Sequence, residues 1–334
     1  MKSLNEKIER KTGFDVLRLV LMGMIIFHHF AYHGVVSASF VPESFDWWQN
    51  GHTLNRLWVS FILPGGNVGN GVFFALSGYL LYGKDNVKLE KFVSFFCQAL
   101  FYTIIFFILY FVLRTRHFSF ISINKNQIIG SVFNPIASWW FLTVYLMIYV
   151  CHPFLNKIGK VLTRKQFCFL LVLLSIVYLV EPNILYRTPY AGFEKGVFFY
   201  LFGEYCAIYT SKHQKYWYLL GIIVSWLIMT GTPFITHIQG YGIVYKCLMC
   251  AVSLIDNYMV IFCCLCLIRF FEHLEFKTSK FVPLSQYVFG VYLIHDHPLM
   301  RELLWGLIVR PYALYEVPVF FILYVLYHVK TLPK

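Results

Sequence analysis

Long apolar runs separated by short polar or basic stretches dominate this chain. Ten can be marked, roughly 14–36, 66–83, 92–113, 136–155, 167–182, 195–210, 216–236, 247–271, 286–309 and 312–329. Several approach ~20 residues, the length at which a helix rising 1.5 Å per residue crosses a hydrocarbon core of about 30 Å. A membrane β-barrel would instead alternate apolar and polar positions in ten-residue segments. Only helices satisfy their own backbone in lipid with runs of this length. The pattern therefore predicts an all-α fold, a polytopic membrane bundle of about ten transmembrane helices. The second, fifth, sixth and last runs are short, which suits tilted, broken or partly interfacial segments. No loop is long enough for a second folding unit, so residues 1–334 read as one membrane domain.

Basic residues test the count. With the N-terminus placed inside, segments on that side carry about twice as many Lys and Arg as the outer ones, as the positive-inside rule expects. Both termini are then cytoplasmic. The basic start, Met1–Lys11, leads into a run too long for a secretory signal and without a small-residue cleavage site, so it is expected to remain as the first helix.

Composition agrees. Hydrophobic residues make up 59% and charged residues 13%, where soluble domains carry about 25% charged. Mean hydropathy is +0.63. The net charge of +12 is spread in small groups between apolar runs rather than gathered on one face, which argues against nucleic-acid binding. Of nine cysteines, most lie in apolar runs. Cys247 and Cys250 with Cys263, Cys264 and Cys266 mimic a zinc pattern but lack its polar loop setting. Cysteine packs well in such helices, and no metal is expected.

Candidate chemistry lies where polar residues are costly. An ionisable group inside a membrane helix costs roughly 2.5–3.5 kcal/mol on insertion scales. The first run reads FDVLRLVLMGMIIFHHFAYHG. Asp15 and Arg18 are three apart and can pair. His28, His29 and His33 follow, with His29 about 16 Å along the helix from Arg18. A fixed cation at one boundary and an imidazole deep in the membrane suit an anionic substrate that reaches inward. Snorkelling of Arg18 and interfacial placement of the histidines are the structural alternatives. The second run, GGNVGNGVFFALSGYLLYGK, is rich in small residues and includes Ser77. Its spacing fits neither common nucleotide loop and suits close helix packing. Trp139 and Trp140 read as an outer interface anchor. Glu204 needs a partner or a proton if buried. The ninth run, VFGVYLIHDHPLMRELLW, brings His295, Asp296, His297, Arg301 and Glu302. Pro298 is expected to break the helix there. Its polar groups read either as a site or as a buried lock between helices.

Four motifs in this order resemble the acyltransferase-3 family of bacterial membrane acyltransferases. They are Arg18 with His29, GVFFALSGYLL (Gly71–Leu81), WWFLTVYLMIYVCHPFL (Trp139–Leu155) and FGVYLIH (Phe289–His295). One departure is that Lys84, Lys88 and Lys91 stand where relatives usually carry an arginine run. The resemblance implies a multi-pass protein of the bacterial inner membrane. It also implies an acyl-CoA donor, acetyl-CoA foremost, and a hydroxyl of a cell-surface or lipid-linked carbohydrate as acceptor, in a capsule or exopolysaccharide. Beyond the bilayer, donor and acceptor, no partner or permanently bound cofactor is implied; oligomeric state is not indicated. A sugar hydroxyl needs a base of near-neutral pKa, which histidine supplies. His29 is expected in that role and Arg18 at the donor. Asp15, His28, Ser77, Glu204, His295, His297 and Arg301 are expected to line the site. Direct transfer and an acyl-histidine intermediate both fit. A transporter or flippase for a polar or lipid-linked glycan is the rival from another class, since it too would bury charges in broken helices.

Overall fold

The computed structural model describes residues 11–37, 46–49, 53–115, 125–184, 192–210, 214–238, 240–276 and 281–305. Every element among them is helical. Helix α1 (Thr12–His29) runs into a π-helical segment, Phe30–Val36, and is followed by α2 (Thr53–Ile62) and α3 (Gly65–Leu81). Next come α4 (Leu89–Thr115), α5 (Lys125–Phe133), α6 (Trp140–Val161) and α7 (Arg164–Ile184). The chain continues through α8 (Phe193–Ile208), α9 (Lys215–Thr236), α10 (Gly242–Glu272), α11 (Phe281–Gln286) and α12 (Val288–His295).

Six segments among the described residues are long and apolar enough to cross a membrane: Thr12–Val36, Thr53–Leu81, Leu89–Thr115, Trp140–Val161, Lys215–Thr236 and Gly242–Glu272. The expected ten are therefore only partly matched. Helix α8 has 16 residues, too few to span unaided. The ninth run is split, because α12 stops at His295 and helix resumes at 298. Proline lacks an N–H and suits only the first turn of a helix, so Pro298 starts the second piece. The run at 312–329 lies outside the described residues.

The outer surface is that of a protein in lipid. Large apolar side chains stand out along α4 and α9, with Phe101 60% and Leu227 62% exposed. Soluble proteins rarely carry such continuous apolar faces. Inside, α1, α3, α8 and α10 pack together around Leu17, Leu21, Phe74, Phe199 and Cys264. Helices α3 and α8 approach closely because they meet on glycine. A Cβ at Gly78 would run into the Tyr200 carbonyl, and one at Gly203 into that of Ala75. Between helices in lipid, such backbone proximity replaces the hydrophobic drive available in water.

Polar side chains fix the ends of this core. The last carbonyls of α3 lack helical partners. Asn156 on α6 donates to the carbonyls of Leu81 (2.8 Å) and Lys84 (2.9 Å), and Tyr200 donates to Asn156 Oδ1 at 2.7 Å. At the same end, Glu272 on α10 takes Arg269 at 2.7 Å, Lys11 at 3.0 Å and the Tyr79 hydroxyl at 2.8 Å. Arg269 also donates to the carbonyls of Cys206 and Tyr209. This network ties the start of α1, α3, α8 and α10 into one basic end of the bundle.

Candidate active site

Two features converge on α1, one at each end of it. At the basic end, Arg18 donates to Asp15 Oδ1 at 2.9 Å, as their spacing predicts, and the Ser285 hydroxyl donates to the same oxygen at 3.0 Å. Arg18 opens onto a cavity of 410 Å³ lined near its mouth by Lys84, Lys91 and Gln286. Deeper in, the walls become aromatic and aliphatic: Phe73, Phe141, Tyr145, Ile25 and Tyr292. Burial, and then the neighbouring Lys88 ammonium, hold Lys84 below the usual lysine range. A mouth with three cations and an apolar throat is built for a molecule that is anionic at one end and apolar along its arm. Ser77 lines this cavity, with its hydroxyl donating to the Phe73 carbonyl at 2.9 Å.

The second feature is a polar cluster where α1 ends and α12 breaks. His29 is 7% exposed and Asp296 fully buried. His29 Nδ1 faces Asp296 Oδ1 at 3.3 Å. Arg301 grips the same oxygen through Nε at 3.0 Å and Nη2 at 2.7 Å. The rings of His295 and His33 each lie 5.0 Å from that of His29. The chain order makes this possible. Helix α1 delivers His29 as its last residue, and the π-helical segment starts at the next position and carries His33 past it. Such wider turns recur at functional sites. On the other wall, the break before Pro298 lets Asp296 leave α12 and turn inward.

The cluster has unmet bonding capacity. Among the described residues, His29 Nδ1, Asp296 Oδ2 and His295 Nε2 are buried without a hydrogen-bond partner. Orphaned buried polar atoms are uncommon and call for a reason. His295 Nδ1 lies 2.7 Å from the Val291 carbonyl, so that nitrogen must carry the proton and Nε2 the lone pair of the neutral ring.

The remaining candidates separate. His28 turns away from His29's partners: its Nδ1 meets the Leu63 carbonyl at 2.6 Å, and its ring stacks on Tyr32. A Cβ at Gly66 would collide with that ring, so His28 joins α1 to the α2–α3 corner. His297 stacks on Phe106 at 4.2 Å and accepts from the Leu299 amide through Nδ1 at 3.2 Å. That bond caps the helical piece after the break. Glu204 is fully buried against Gly159, between α6 and α8, and meets neither the cavity nor the histidine cluster. The cavity itself ends at Ile25 and Tyr292, one turn below His29, and His29 is not in its wall.

Sequence reasoning missed three participants. Trp139, expected as an interface anchor, is fully buried and donates to the Leu293 carbonyl at 3.1 Å, supporting the end of α12. Trp140 keeps the exposed position. Tyr145 and Tyr292 line the throat. A signal for Trp139 was available: the residue pair straddles the start of α6, so only one of two adjacent side chains can face lipid.

An apolar helical bundle with a basic cavity mouth and a buried histidine–carboxylate pair defines a membrane-embedded protein equipped for acid–base chemistry. A family model described as an acyltransferase domain matches residues 11–328, nearly the whole chain, and the chain belongs to the acyltransferase-3 family. No curated protein and no solved structure matches it.

Proposed function

We propose that this acyltransferase moves an acetyl group from acetyl-CoA, taken from the cytoplasmic side of a bacterial inner membrane, onto a carbohydrate hydroxyl presented from the other side. The observation that carries the reading is His29 facing Asp296 about 16 Å of helix away from Arg18, with the cationic cavity opening between them. In this reading Arg18, Lys84 and Lys91 hold the phosphates of the donor. Arginine is the stronger partner because its planar fork meets phosphate oxygens in pairs, whereas each lysine acts as a point charge. The pantetheine arm lies along Phe73, Phe141, Tyr145 and Tyr292 and carries the thioester toward His29. Closing the last turn between Ile25 and His29 needs a side-chain shift, as catalytic contacts often tighten only with substrate bound.

His29 is the general base. It removes the proton from the sugar hydroxyl as that oxygen bonds to the thioester carbonyl carbon. The carbon–sulfur bond then breaks, and the proton passes to the departing thiolate, leaving an O-ester and coenzyme A thiol. Asp296 faces the imidazole's other nitrogen and stabilises the imidazolium formed in between, and Arg301 fixes the position of Asp296 through two bonds to Oδ1. His295, with its free Nε2, stands beside the base as a contact for the acceptor hydroxyls.

The test is release of coenzyme A thiol by the purified chain in lipid vesicles, with acetyl-CoA outside and a soluble glycan inside. Acceptor-dependent thiol release that disappears in His29→Ala supports the transferase. Glycan that crosses the membrane chemically unchanged, with no thiol released, points to transport instead.

A further inference from the structure

We propose that His29, His33 and Asp296 also form a binding site for a divalent cation of the zinc class, and that filling it switches the base off. The inhibitory half rests on the catalytic reading of His29; the binding half does not.

The geometry is the first argument. One ligand-capable atom from each of the three residues lies within 4.8 Å of the other two. The His29 imidazole and the Asp296 carboxylate approach to 3.3 Å, Nδ1 to Oδ1. The two groups face one another without forming a hydrogen bond, an arrangement that an ion between them would relieve.

The second argument is the set of orphaned atoms. His29 Nδ1 and Asp296 Oδ2 are buried and unpartnered. His295 offers a further lone pair on Nε2, and its Nδ1 is already committed to the Val291 carbonyl. Metal-binding histidines almost always donate their other N–H to a carbonyl or carboxylate in this way. The carboxylate has its own outer support: both Arg301 bonds fall on Oδ1. Oδ2 carries neither of these bonds, so an ion on that oxygen need not displace the guanidinium, and the Tyr292 hydroxyl is the neighbouring group it would meet.

The donor set selects the ion. Two or three imidazoles with one carboxylate suit zinc; magnesium and calcium seek oxygen-rich sites. His28 takes no part, since its Nδ1 is held by the Leu63 carbonyl. His33 is only half-buried, whereas its two partners are buried, so it marks the side from which an ion enters. An ion on His29 Nδ1 leaves the neutral ring's one proton on Nε2, the nitrogen that acts as the base, and the base can no longer take a proton.

The experiment uses the full chain in detergent with Cys247→Ser and Cys250→Ser, because those exposed thiols would bind zinc themselves. Zinc chloride is titrated by equilibrium dialysis and by thermal unfolding, with magnesium chloride in parallel. One zinc per chain is expected, removable by EDTA and accompanied by a rise in Tm, as for any ligand that binds only the folded state. His33→Ala should abolish the Tm rise and raise the zinc needed for half-inhibition by about tenfold or more. Its transfer rate in EDTA should stay within about twofold of the parent, in keeping with a residue outside the reaction. Three results overturn the proposal: no zinc above background, binding unchanged by His33→Ala, or zinc bound as described without inhibition of an active enzyme. Zinc binding that depends on His33 in a protein that never transfers an acyl group would leave the site standing and remove the catalytic reading alone.

Discussion

Two buried polar clusters share this bundle, and they are built in opposite ways. Around Glu272 the capacity for hydrogen bonds is met: both carboxylate oxygens are engaged, by Arg269, Lys11 and Tyr79, and Arg269 is further held by two carbonyls. Around His29, by contrast, buried polar atoms of His29, His295 and Asp296 are left without a hydrogen-bond partner among the described residues. Burial is comparable, with Glu272 and Arg269 side chains 7% and 4% exposed against 9% and 0% for His29 and Asp296. Burial alone therefore does not distinguish structure from function here. Satisfaction and placement together do: Glu204 is also buried without a hydrogen-bond partner among the described residues but lies in the α6–α8 seam, whereas the unmet atoms around His29 lie one turn beyond the end of the cavity.

The sharpest way to break this contrast is at its reactive side. His29→Ala should lower acyl transfer by about 10³- to 10⁴-fold, the upper range for losing a general base, with the protein still folded and present at normal levels. Thiol release from acetyl-CoA with acceptor present measures it. Asp296→Asn keeps the shape and removes the charge. It should lower kcat by about 10²-fold while leaving the donor KM near its parental value, because an orienting group acts on the transition state rather than on binding.

The satisfied cluster should respond differently. Glu272→Ala leaves the Arg269 guanidinium buried without its carboxylate, and breaking such a pair costs about 3–5 kcal/mol. Tm in detergent should fall markedly, while the fraction that remains folded keeps its kcat. If Glu272→Ala abolished chemistry in folded protein, the division between the two clusters would fail. The smallest effect belongs to the cavity mouth. Lys84→Ala should raise the donor KM a few-fold, in line with about 1 kcal/mol for a partly exposed charge, with kcat little changed. Because burial and Lys88 lower the Lys84 pKa, its proton leaves sooner as pH rises. Donor KM should therefore climb on the alkaline side earlier than an ordinary lysine would allow, and Lys84→Ala should remove that climb.

Much of this was legible in the chain itself, and the exceptions have physical causes. The apolar periodicity announces helices in lipid, and the Asp15–Arg18 spacing announces their pairing, because both are local properties. The break at Pro298 is local too. What could not be read is which distant groups meet. Asp296 reaches His29 across 267 positions only because α12 ends one residue earlier, and no periodicity encodes that. Glu204 and Ser77 looked alike as polar residues in apolar helices. Packing sends Ser77 to the cavity and Glu204 to the α6–α8 seam, against Gly159. The span count is matched only in part among the described residues for a related reason: hydropathy does not distinguish a crossing helix from a short or broken one, such as α8 or α12.

The most direct measurement is the O-acetyl content of the cell's surface polysaccharide by proton NMR. Three strains suffice: one lacking the gene, one rescued with the parent chain, and one rescued with His29→Ala at matched membrane levels. The account predicts that only the parent chain restores the acetyl signal. A signal restored equally by His29→Ala would contradict the assignment of the base, and a signal indifferent to the gene would contradict carbohydrate acylation as the reaction.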